Sequence, residues 1–501
     1  MTRPEPRAAA FALAVVLASA TIWTALPAAL LSAPHGDNVE QLNWSHALQW
    51  GYFKHPPLPT WLLHAAIAVF GPSATLTYAL AMACVAVALL LLWRCAYEVM
   101  DPGRALVALL VSSADYYLMG RGSFLNHNTV MLPFVALSAW AVLRIARGAG
   151  WQAWLVLGLA QALGLLTKYQ MALVLCANGA ALLAAGAHRQ PRFAAHLALA
   201  SAATLLPLIP HALWVADHGF STFEYAGHSL LADLPPGPRT VACASFLAQQ
   251  LARLAPALLA LALAHGLARA RPHDSGATQT VQAGTAAARA GDREAQRALT
   301  MLALVPLAGI VLLVLIVGVA PQNHWGASST LLIPLLLVSR VRPGAQIPVR
   351  TALAATVLCH AGAIAWNVTA ARIDPGPHHR FAARTLAALA QRRWSQHETG
   401  PIRIVLGPDW EAGSIALYLP DHPAVLPNGD WRQAPWIDRD TLRRCGALVV
   451  ARIGSPLHQQ LPPTLADSAT DLAVLTAPGP HGGDSSVQAA LIAPETGSYC
   501  P

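Results

Sequence analysis

The chain has 501 residues, of which 55% are hydrophobic and only 11% are charged. Soluble proteins carry about 25% charged residues, so this composition excludes an ordinary soluble enzyme. The formal net charge is +8, but the arginines are scattered between apolar stretches and form no basic face with interleaved aromatics, which argues against a nucleic-acid partner. The sequence therefore predicts a polytopic membrane protein in contact with membrane lipids.

Apolar runs long enough to cross the bilayer recur along most of the chain. A spanning helix needs about 20 apolar residues. The run after Arg3 and Arg7 exceeds the apolar core of a signal peptide, about 7 to 15 residues, so we expect a retained first span, with cleavage near Ser32 as the alternative. The runs predict about eleven spans, near 8–31, 74–93, 105–119, 128–143, 152–167, 170–187, 194–215, 242–268, 298–319, 326–339 and 351–370.

The basic residues between the spans lie mostly on one side of the membrane when the spans alternate. The opposite loops hold only Lys54, Arg121, Lys168 and Arg239. Because cytoplasmic loops carry the excess of Lys and Arg, we expect the Arg-rich side to be cytoplasmic. The protein would then lie in the cell (inner) membrane with its N-terminus in the cytoplasm. An odd number of spans would place the C-terminal portion on the outer side of that membrane.

Two polar segments define the expected domain organisation. Residues 1–371 form the transmembrane domain, with a long first outer loop at 32–73 and a cytoplasmic linker at 269–297 that is too poor in large apolar residues to build a core. Residues 372–501 combine strand-like runs with a helical candidate and predict a small α/β domain on the outer face. The predicted fold class is an all-α polytopic membrane domain plus a small C-terminal α/β soluble domain.

The cysteines and histidines give no clear sign of a metal or a disulfide scaffold. The seven cysteines lack C-x-x-C spacing. Cys445 and Cys500 could pair in an oxidising compartment, although two unpaired thiols are the interpretation that the spacing favours. The twenty histidines form no H-E-x-x-H pattern. No cofactor is identified, and dependence on a divalent metal stays open.

The first outer loop concentrates functional groups in the run HGDNVEQLNWSHALQWGYFKHPPLPTWLLHAA. If Asp37 begins a helix, as its N-cap preference suggests, Asp37 and Glu40 face the same way and two carboxylates look into one cavity. The tryptophans and tyrosine of the loop predict an interfacial helix along the membrane surface. Lys54 and His55 precede two prolines at the water boundary, a position suited to a lipid phosphate. A solvated loop without chemistry is the alternative interpretation.

Two further basic residues are candidates for binding an anion. Lys168 lies within a long hydrophobic stretch, and an intramembrane lysine is by default a functional hypothesis. A lysine that extends from a tight outer turn to the interface is the alternative. Arg121 lies in an outer loop and could bind the same anion or act only as an anchoring charge.

Several segments carry a resemblance to a known family. The run GDNVEQLNWSHALQWGYFKHPPLPTWL resembles the first outer loop of family 39 glycosyltransferases, the GT-C membrane fold class that includes protein O-mannosyltransferases and the lipid A aminoarabinose transferase. The runs LNHNTVMLPF, GLLTKYQMALVL, PHALWVADHGFSTFEY and NHWGASSTLLIP fit the same family, so the resemblance covers roughly residues 10–370. In that family an acid at the start of the loop is essential and a second often follows immediately, whereas position 38 here is Asn and the second acid is Glu40.

The resemblance implies an inverting transfer of a sugar from a polyprenyl-phosphate donor to a lipid or protein acceptor such as lipid A, another glycolipid or a protein hydroxyl. Asp37 is then the candidate base, with Glu40 as its partner or an acceptor-positioning group. Lys168, Lys54, His55 and Arg121 are candidates for binding the donor phosphate. The substrate-binding candidates, each of which could equally be a satisfied polar group at a helix end, are His127, Asn128, His211, Glu224, Asn323, His324 and Trp325.

Two other functional classes compete with a glycosyltransferase. A secondary transporter would suit many spans and an intramembrane cation, but transporters place their sites at the midplane between repeated halves, and the sequence shows no such repeat. A non-catalytic membrane assembly protein would use the C-terminal domain, in which we find no motif.

Overall fold

The helical part of the molecule agrees with the prediction of a membrane bundle. A computed structural model describes residues 5–230, 234–269, 286–341, 347–480, 482–495 and Cys500. Residues 270–285 of the predicted linker lie outside the described residues, whereas residues 286–297 form the first turns of a helix. All five strands of the described chain lie C-terminal to the helical bundle.

The elements follow in chain order. The bundle contains α1 Pro6–Leu30, α2 Gly36–Trp44, α3 Leu58–Phe70, α4 Ala74–Val99, α5 Pro102–Ser113, α6 Tyr116–Met119, α7 His127–Ala146, α8 Trp151–Leu165, α9 Met171–Ala184, α10 Phe193–Leu205, α11 Ile209–Asp217, α12 Ser221–Leu230, α13 Pro236–Arg269, α14 Ala286–Leu312, α15 Gly326–Ser329, α16 Ile333–Arg340 and α17 Val349–Ile373. The C-terminal part contains α18 Pro377–Arg380, α19 Ala383–His397, β1 Ile404–Gly407, α20 Asp409–Ala416, β2 Ala424–Pro427, α21 Arg439–Cys445, β3 Ala447–Arg452, α22 Leu457–Gln460, α23 Pro463–Asp467, β4 Thr470–Pro478 and β5 Asp484–Ile492.

Within the described residues, seven helices are long and apolar enough to cross a membrane. They are α1, α4, α7, the α10–α11 run, α13, α14 and α17. The other predicted spans fall on shorter helices: α5 has 12 residues, α8 has 15 and α9 has 14, and α16 has 8. At 1.5 Å per residue, helices of 12 to 15 residues extend about 18 to 23 Å, less than the roughly 30 Å hydrocarbon core. The chain is a multi-pass membrane protein, but some of its helices stop short.

The interruptions of the short helices coincide with polar sequence. Asp115 caps α6 through a 2.8 Å bond from the Tyr117 amide, Lys168 lies in the turn between α8 and α9, and His324 precedes α15. Helix α7 begins at a cap in which Asn126 Oδ1 accepts the amides of Asn128 and Thr129 at 3.0 Å. Since Asn and Asp favour helix starts, the starts of α6 and α7 are specified locally. The interruptions bring polar residues into the end of the bundle.

The C-terminal domain is built on a five-stranded sheet with the order β2-β1-β3-β5-β4. Strands β2, β1 and β3 are parallel, and β5 and β4 add antiparallel pairs. One face packs against α19 and α20 through Trp394 and Ile415. The other packs against α21 and α23 through Leu442 and Leu465. Burial on both faces explains the nearly continuous apolar strands.

The C-terminal domain docks onto the first outer loop. Trp410 Nε1 donates to the Pro34 carbonyl at 2.8 Å, and the Ser32 amide donates to the His378 carbonyl at 3.0 Å. Helix α20 crosses α2 so closely that a Cβ at Gly413 would overlap the Val39 side chain and approach the Asn43 amide at 2.8 Å. A glycine at this position therefore sets the distance between the two helices.

Substitution of Gly413 should loosen this docking. We expect Gly413→Val to lower the free energy of unfolding by about 1 to 3 kcal/mol, because overpacking a tight contact forces the backbones apart. The measurement is the Tm of the detergent-solubilised protein together with protease sensitivity of the C-terminal domain. Gly400→Val is the matched control, since nothing lies within 4 Å of a Cβ at Gly400. Equal Tm values for the two variants would contradict the close α2–α20 contact.

Cys445 and Cys500 form a disulfide bond in the structure, although the spacing favoured two unpaired thiols. The sequence separation of 55 hides the pairing, because the spacing of Cys445, which ends α21, and Cys500 does not show that the two residues are close in space. The bond ties the C-terminal residues to the domain core.

Candidate active site

A cavity of about 1600 Å³ lies between the end of the helical bundle and the C-terminal domain. Its walls come from the first outer loop, the segment before α7, the α8–α9 turn, α12, the segment before α15 and the loops of the C-terminal sheet. Ten of the predicted site residues line this cavity, eight of them being Asp37, Glu40, Lys54, His55, Arg121, His127, Asn128 and Lys168. His324 and Trp325 line it as well.

Helix α2 presents its acidic side chains to the cavity because its other side is fixed by buried polar contacts. Asn38 Nδ2 donates to Thr77 Oγ1 at 2.8 Å, and Thr60 Oγ1 donates to Gln41 Oε1 at 2.8 Å. Asp37 is exposed to the cavity, where its Oδ2 accepts from Asn126 Nδ2 at 2.8 Å. Position 38, where the resemblance leads to the expectation of a second acid, is thus a buried structural asparagine.

Glu40 and Lys54 form an ion pair beside Asp37. Asp409 of the C-terminal domain adds a second carboxylate to Lys54, and its Oδ1 accepts from Asn43 Nδ2 at 2.7 Å. Burial raises the pKa of Glu40 and of Asp409, while the ammonium of Lys54 opposes both increases. Lys54 is therefore a cation held between carboxylates from two parts of the molecule, and a bound phosphate would have to compete with them.

Three histidines, His55, His127 and His324, line the cavity. Burial lowers the pKa of His55 well below its usual value, with His127, Lys168 and Lys54 adding to the effect. Burial also lowers the pKa of His324 to about 3, assisted by the charge of Lys168. His55 stacks on His127 with ring centroids 4.0 Å apart. His55 lines the cavity, and its role in binding the donor phosphate stays a prediction.

Lys168 reaches the cavity from the turn between α8 and α9. Its Nζ donates to Asn128 Oδ1 at 2.7 Å. Burial lowers the pKa of Lys168 to about 7, while the carboxylate of Asp37 opposes the decrease. Within the described chain, Lys168 and Arg121 have no carboxylate within ion-pair distance, unlike Lys54. Lys54 and Lys168 are also the only lysines in the sequence. The protein uses arginine at almost all of its basic positions, yet both of its lysines line this cavity.

Three predicted substrate-binding residues lie elsewhere. His211 Nδ1 is 2.6 Å from the Trp50 carbonyl and its Nε2 is 2.9 Å from Tyr169 Oη, so its ring is occupied in holding α11 to the loop. Asn323 offers its backbone carbonyl to Arg253 Nη2 at 3.1 Å. Neither residue lines the cavity, and neither does Glu224. The substrate-binding roles of these three residues stay predictions, since a polar residue at a helix end carries limited information.

Two residues at the site escaped the sequence analysis. Asn126 contacts Asp37 directly and could have been found as the residue before a helical apolar run. Arg253 lies within the spanning helix α13, with its guanidinium 5.0 Å from the ring centre of Tyr117, which lines the cavity. An arginine inside a predicted span is itself a functional signal, so Arg253 was detectable in principle.

His35 connects the site to the C-terminal domain and makes the docking sensitive to acid. Its ring lies 3.7 Å from that of Phe124 and 4.6 Å from that of His378. Burial lowers the pKa of His35 to about 3, and the charges of His378, Arg121 and His379 add to the decrease. The folded protein therefore holds this imidazole neutral where an unfolded chain would protonate it.

The stability of the protein should consequently depend on pH through His35. Below the unfolded pKa of 6.5 the unfolded state binds a proton that the folded state excludes until the pH falls to about 3, so this contribution to stability decreases as the pH is lowered through that range. We expect His35→Phe, which keeps an aromatic ring against Phe124, to flatten the fall of Tm between pH 6.5 and pH 4. Parallel curves of Tm against pH for the wild type and His35→Phe would show that the pH dependence of stability does not come from His35.

The chain is similar to membrane glycosyltransferases of the GT-C type, in part of its sequence and in its fold. Residues 54–214 match the family described as dolichyl-phosphate-mannose-protein mannosyltransferase. The crystal structure of ArnT from Cupriavidus metallidurans bound to undecaprenyl phosphate has a similar fold, with a TM-score of 0.64 and 12% identity over 97% of this chain and 98% of that chain. The apo state of the same protein gives a TM-score of 0.60 with 13% identity over the same shares.

Two relatives at the sequence level are lipopolysaccharide core galacturonosyltransferases from Rhizobium johnstonii. RgtA is 24% identical over 408 residues, covering 79% of this chain and 78% of the relative. RgtB is 25% identical over 466 residues, covering 87% of this chain and 86% of the relative. The predicted resemblance to family 39 glycosyltransferases is confirmed, and this class is favoured over a transporter or an assembly protein.

Proposed function

We propose that the protein transfers a sugar from a polyprenyl-phosphate donor to a cell-envelope acceptor at the outer face of the membrane, with inversion at the anomeric carbon. The observation that carries the proposal is that Asp37 and three basic residues, Lys168, Lys54 and Arg121, line one cavity. A displacement that expels a phosphate needs a base for the incoming hydroxyl and cations for the leaving group.

In the proposed reaction, the proton of the acceptor and the negative charge of the leaving phosphate each meet a side chain of opposite charge. The acceptor oxygen forms the new bond to the anomeric carbon while the bond from that carbon to the phosphate oxygen breaks. Asp37 accepts the acceptor's hydroxyl proton, and the polyprenyl phosphate leaves with the electron pair. Lys168 and Arg121 stabilise the charge that develops on the phosphate. Lys54 also interacts with Glu40 and Asp409, so the donor phosphate competes with these two carboxylates for its ammonium group.

The lining of the cavity and the relatives support this substrate class. One part of the wall is apolar and suits a polyprenyl chain: Leu173, Phe223, Leu313, Val317 and Val319. The crystal structure of ArnT from Cupriavidus metallidurans contains undecaprenyl phosphate, and the two Rhizobium relatives are lipopolysaccharide core galacturonosyltransferases. We therefore propose a hexuronic acid as the first sugar to test and a lipopolysaccharide as the first acceptor, before a protein hydroxyl.

The proposed topology places the N-terminus in the cytoplasm, the transmembrane domain at residues 1–371 and the C-terminal domain at residues 372–501 on the outer side of the inner membrane. The asymmetry of basic residues supports this orientation. The Cys445–Cys500 disulfide supports it independently, because such bonds persist in oxidising compartments.

The decisive experiment is transfer by the purified protein in proteoliposomes. Polyprenyl-phosphate-linked galacturonic acid is supplied with lipopolysaccharide lacking that sugar, and the product is analysed by mass spectrometry and its anomeric configuration by NMR. We expect an inverted glycosidic product and free polyprenyl phosphate. Envelope glycans that are identical with and without the protein, together with no transfer from several polyprenyl-phosphate sugars, would reject the proposal.

A further inference from the structure

The C-terminal domain forms one wall of the cavity with the ends of its parallel strands. Pro408 and Asp409 follow β1, Asn428 follows β2, and Arg452 ends β3. All four residues line the cavity. The three strands point the same way, so their carboxyl ends meet at one edge of the sheet.

The carboxyl ends of β1 and β2 are in register, and β1 and β3 lie close together at this edge. Gly407 pairs with Pro427 across β1 and β2, and the Asn428 amide donates to the Gly407 carbonyl at 2.7 Å. A Cβ at Gly407 would overlap the Val450 carbonyl, so β1 and β3 approach closely at this edge. In open sheets with parallel strands, ligands bind in the crevice beyond the carboxyl ends of the strands. Here that crevice opens into the cavity that contains Asp37.

The side chains at this edge present both donors and acceptors. Asn428 and Gln459 line the cavity, are exposed, and make no side-chain hydrogen bond to any other described residue. Arg452 forms an ion pair with Glu411 at 2.6 Å, and Asp409 is a further acid of this wall. An amide offers one acceptor and two donor hydrogens, which matches hydroxyl groups that both donate and accept.

From this arrangement we propose that the carboxyl edge of β1, β2 and β3 is the acceptor subsite and binds a carbohydrate, so that the nucleophile is a sugar hydroxyl. The inference rests on the proposed function, since it names the acceptor of the same cavity. The division of the cavity supports it. The basic residues Lys168 and Arg121 come from the bundle, whereas the exposed amides Asn428 and Gln459 come from the C-terminal domain, and all four line the same cavity as Asp37.

Other acceptors fit this edge less well. A peptide commonly binds by adding a strand to a sheet edge through main-chain hydrogen bonds, whereas here the strand ends, not the strand sides, face the cavity. Acyl chains need an apolar wall, and this edge is polar. Asp409 lies at this edge, and its carboxylate interacts electrostatically with Lys54, a candidate for binding the donor phosphate. Asp409 would therefore be close to both substrates.

The test uses the full-length protein in nanodiscs and the double variant Asn428→Ala/Gln459→Ala. The binding probe is a fluorescently labelled core oligosaccharide released from lipopolysaccharide by deacylation. We expect the double variant to weaken probe binding and raise the acceptor KM by about tenfold, as loss of two hydrogen bonds implies, with the donor KM unchanged. Gln396→Ala is the matched control, an exposed amide of the same domain that does not line the cavity.

The outcomes separate this inference from the proposed function. Sugar transfer by the wild type with an unchanged acceptor KM in the double variant would overturn the subsite and leave the function standing. Weakened oligosaccharide binding in the double variant, without transfer by the wild type, would support the subsite and reject the function. Binding of a Ser/Thr-rich peptide that the double variant loses, with no binding of the oligosaccharide, would overturn the carbohydrate assignment.

Discussion

Asp37→Asn is expected to reduce the rate of transfer at saturating donor and acceptor by about 10² to 10⁴-fold, the range that a general base contributes. The amide is the same size as the carboxylate, and its oxygen can still accept the bond from Asn126 Nδ2. Helix α2 should therefore keep its place, which the buried contacts of Asn38 and Gln41 secure independently. The loss should appear in kcat, with the donor KM changed little.

The control for this prediction is Asp421→Asn, an exposed carboxylate of the C-terminal domain that does not line the cavity. It removes the same charge without touching the site, so its rate should stay at the wild-type level. Transfer by Asp37→Asn that equals transfer by Asp421→Asn would show that another group accepts the proton. Glu40→Gln would then be the next variant, because Glu40 lines the same cavity.

The membrane fold could be predicted from the sequence because lipid imposes a simple rule on composition and length. The same rule could not show that α5, α8 and α9 are too short to cross the hydrocarbon core, because an apolar run does not indicate the residue at which the helix ends. Asp37 and Glu40 could be assigned to one cavity because a spacing of three residues is local information. Their roles stay predictions.

The contribution of the C-terminal domain could not be predicted. Asn43 and Asp409 are separated by 366 positions in the chain, and nothing near Asp409 distinguishes it from other acids of the domain. The same limit applies to His55, because its charge state depends on burial against His127 and Lys168, and burial is a property of the packed bundle. Long-range packing thus determines which members of a polar loop can carry charge.

Lys168→Met is expected to raise the donor KM by about 10 to 100-fold, because a hydrogen bond to a charged group contributes about 1.5 to 3 kcal/mol. The acceptor KM should stay close to that of the wild type, and Lys168→Arg should retain much of the affinity because it keeps the charge. Equal changes in both KM values would indicate a structural role, in which Lys168 serves mainly to hold Asn128 at 2.7 Å.

The sparse use of lysine gives a direct check of the same contact without turnover. In a Lys54→Arg background, Lys168 is the only lysine left in the sequence, so an amine-reactive reagent reports on it and on the terminal amine alone. A polyprenyl phosphate bound at Lys168 should protect that amine from modification, as measured by mass spectrometry of the labelled peptide. Inorganic phosphate at the same concentration is the control, because it lacks the chain that the apolar wall would hold. Labelling of Lys168 that is unaffected by saturating polyprenyl phosphate would remove Lys168 from the donor site and leave Arg121 as the principal cation.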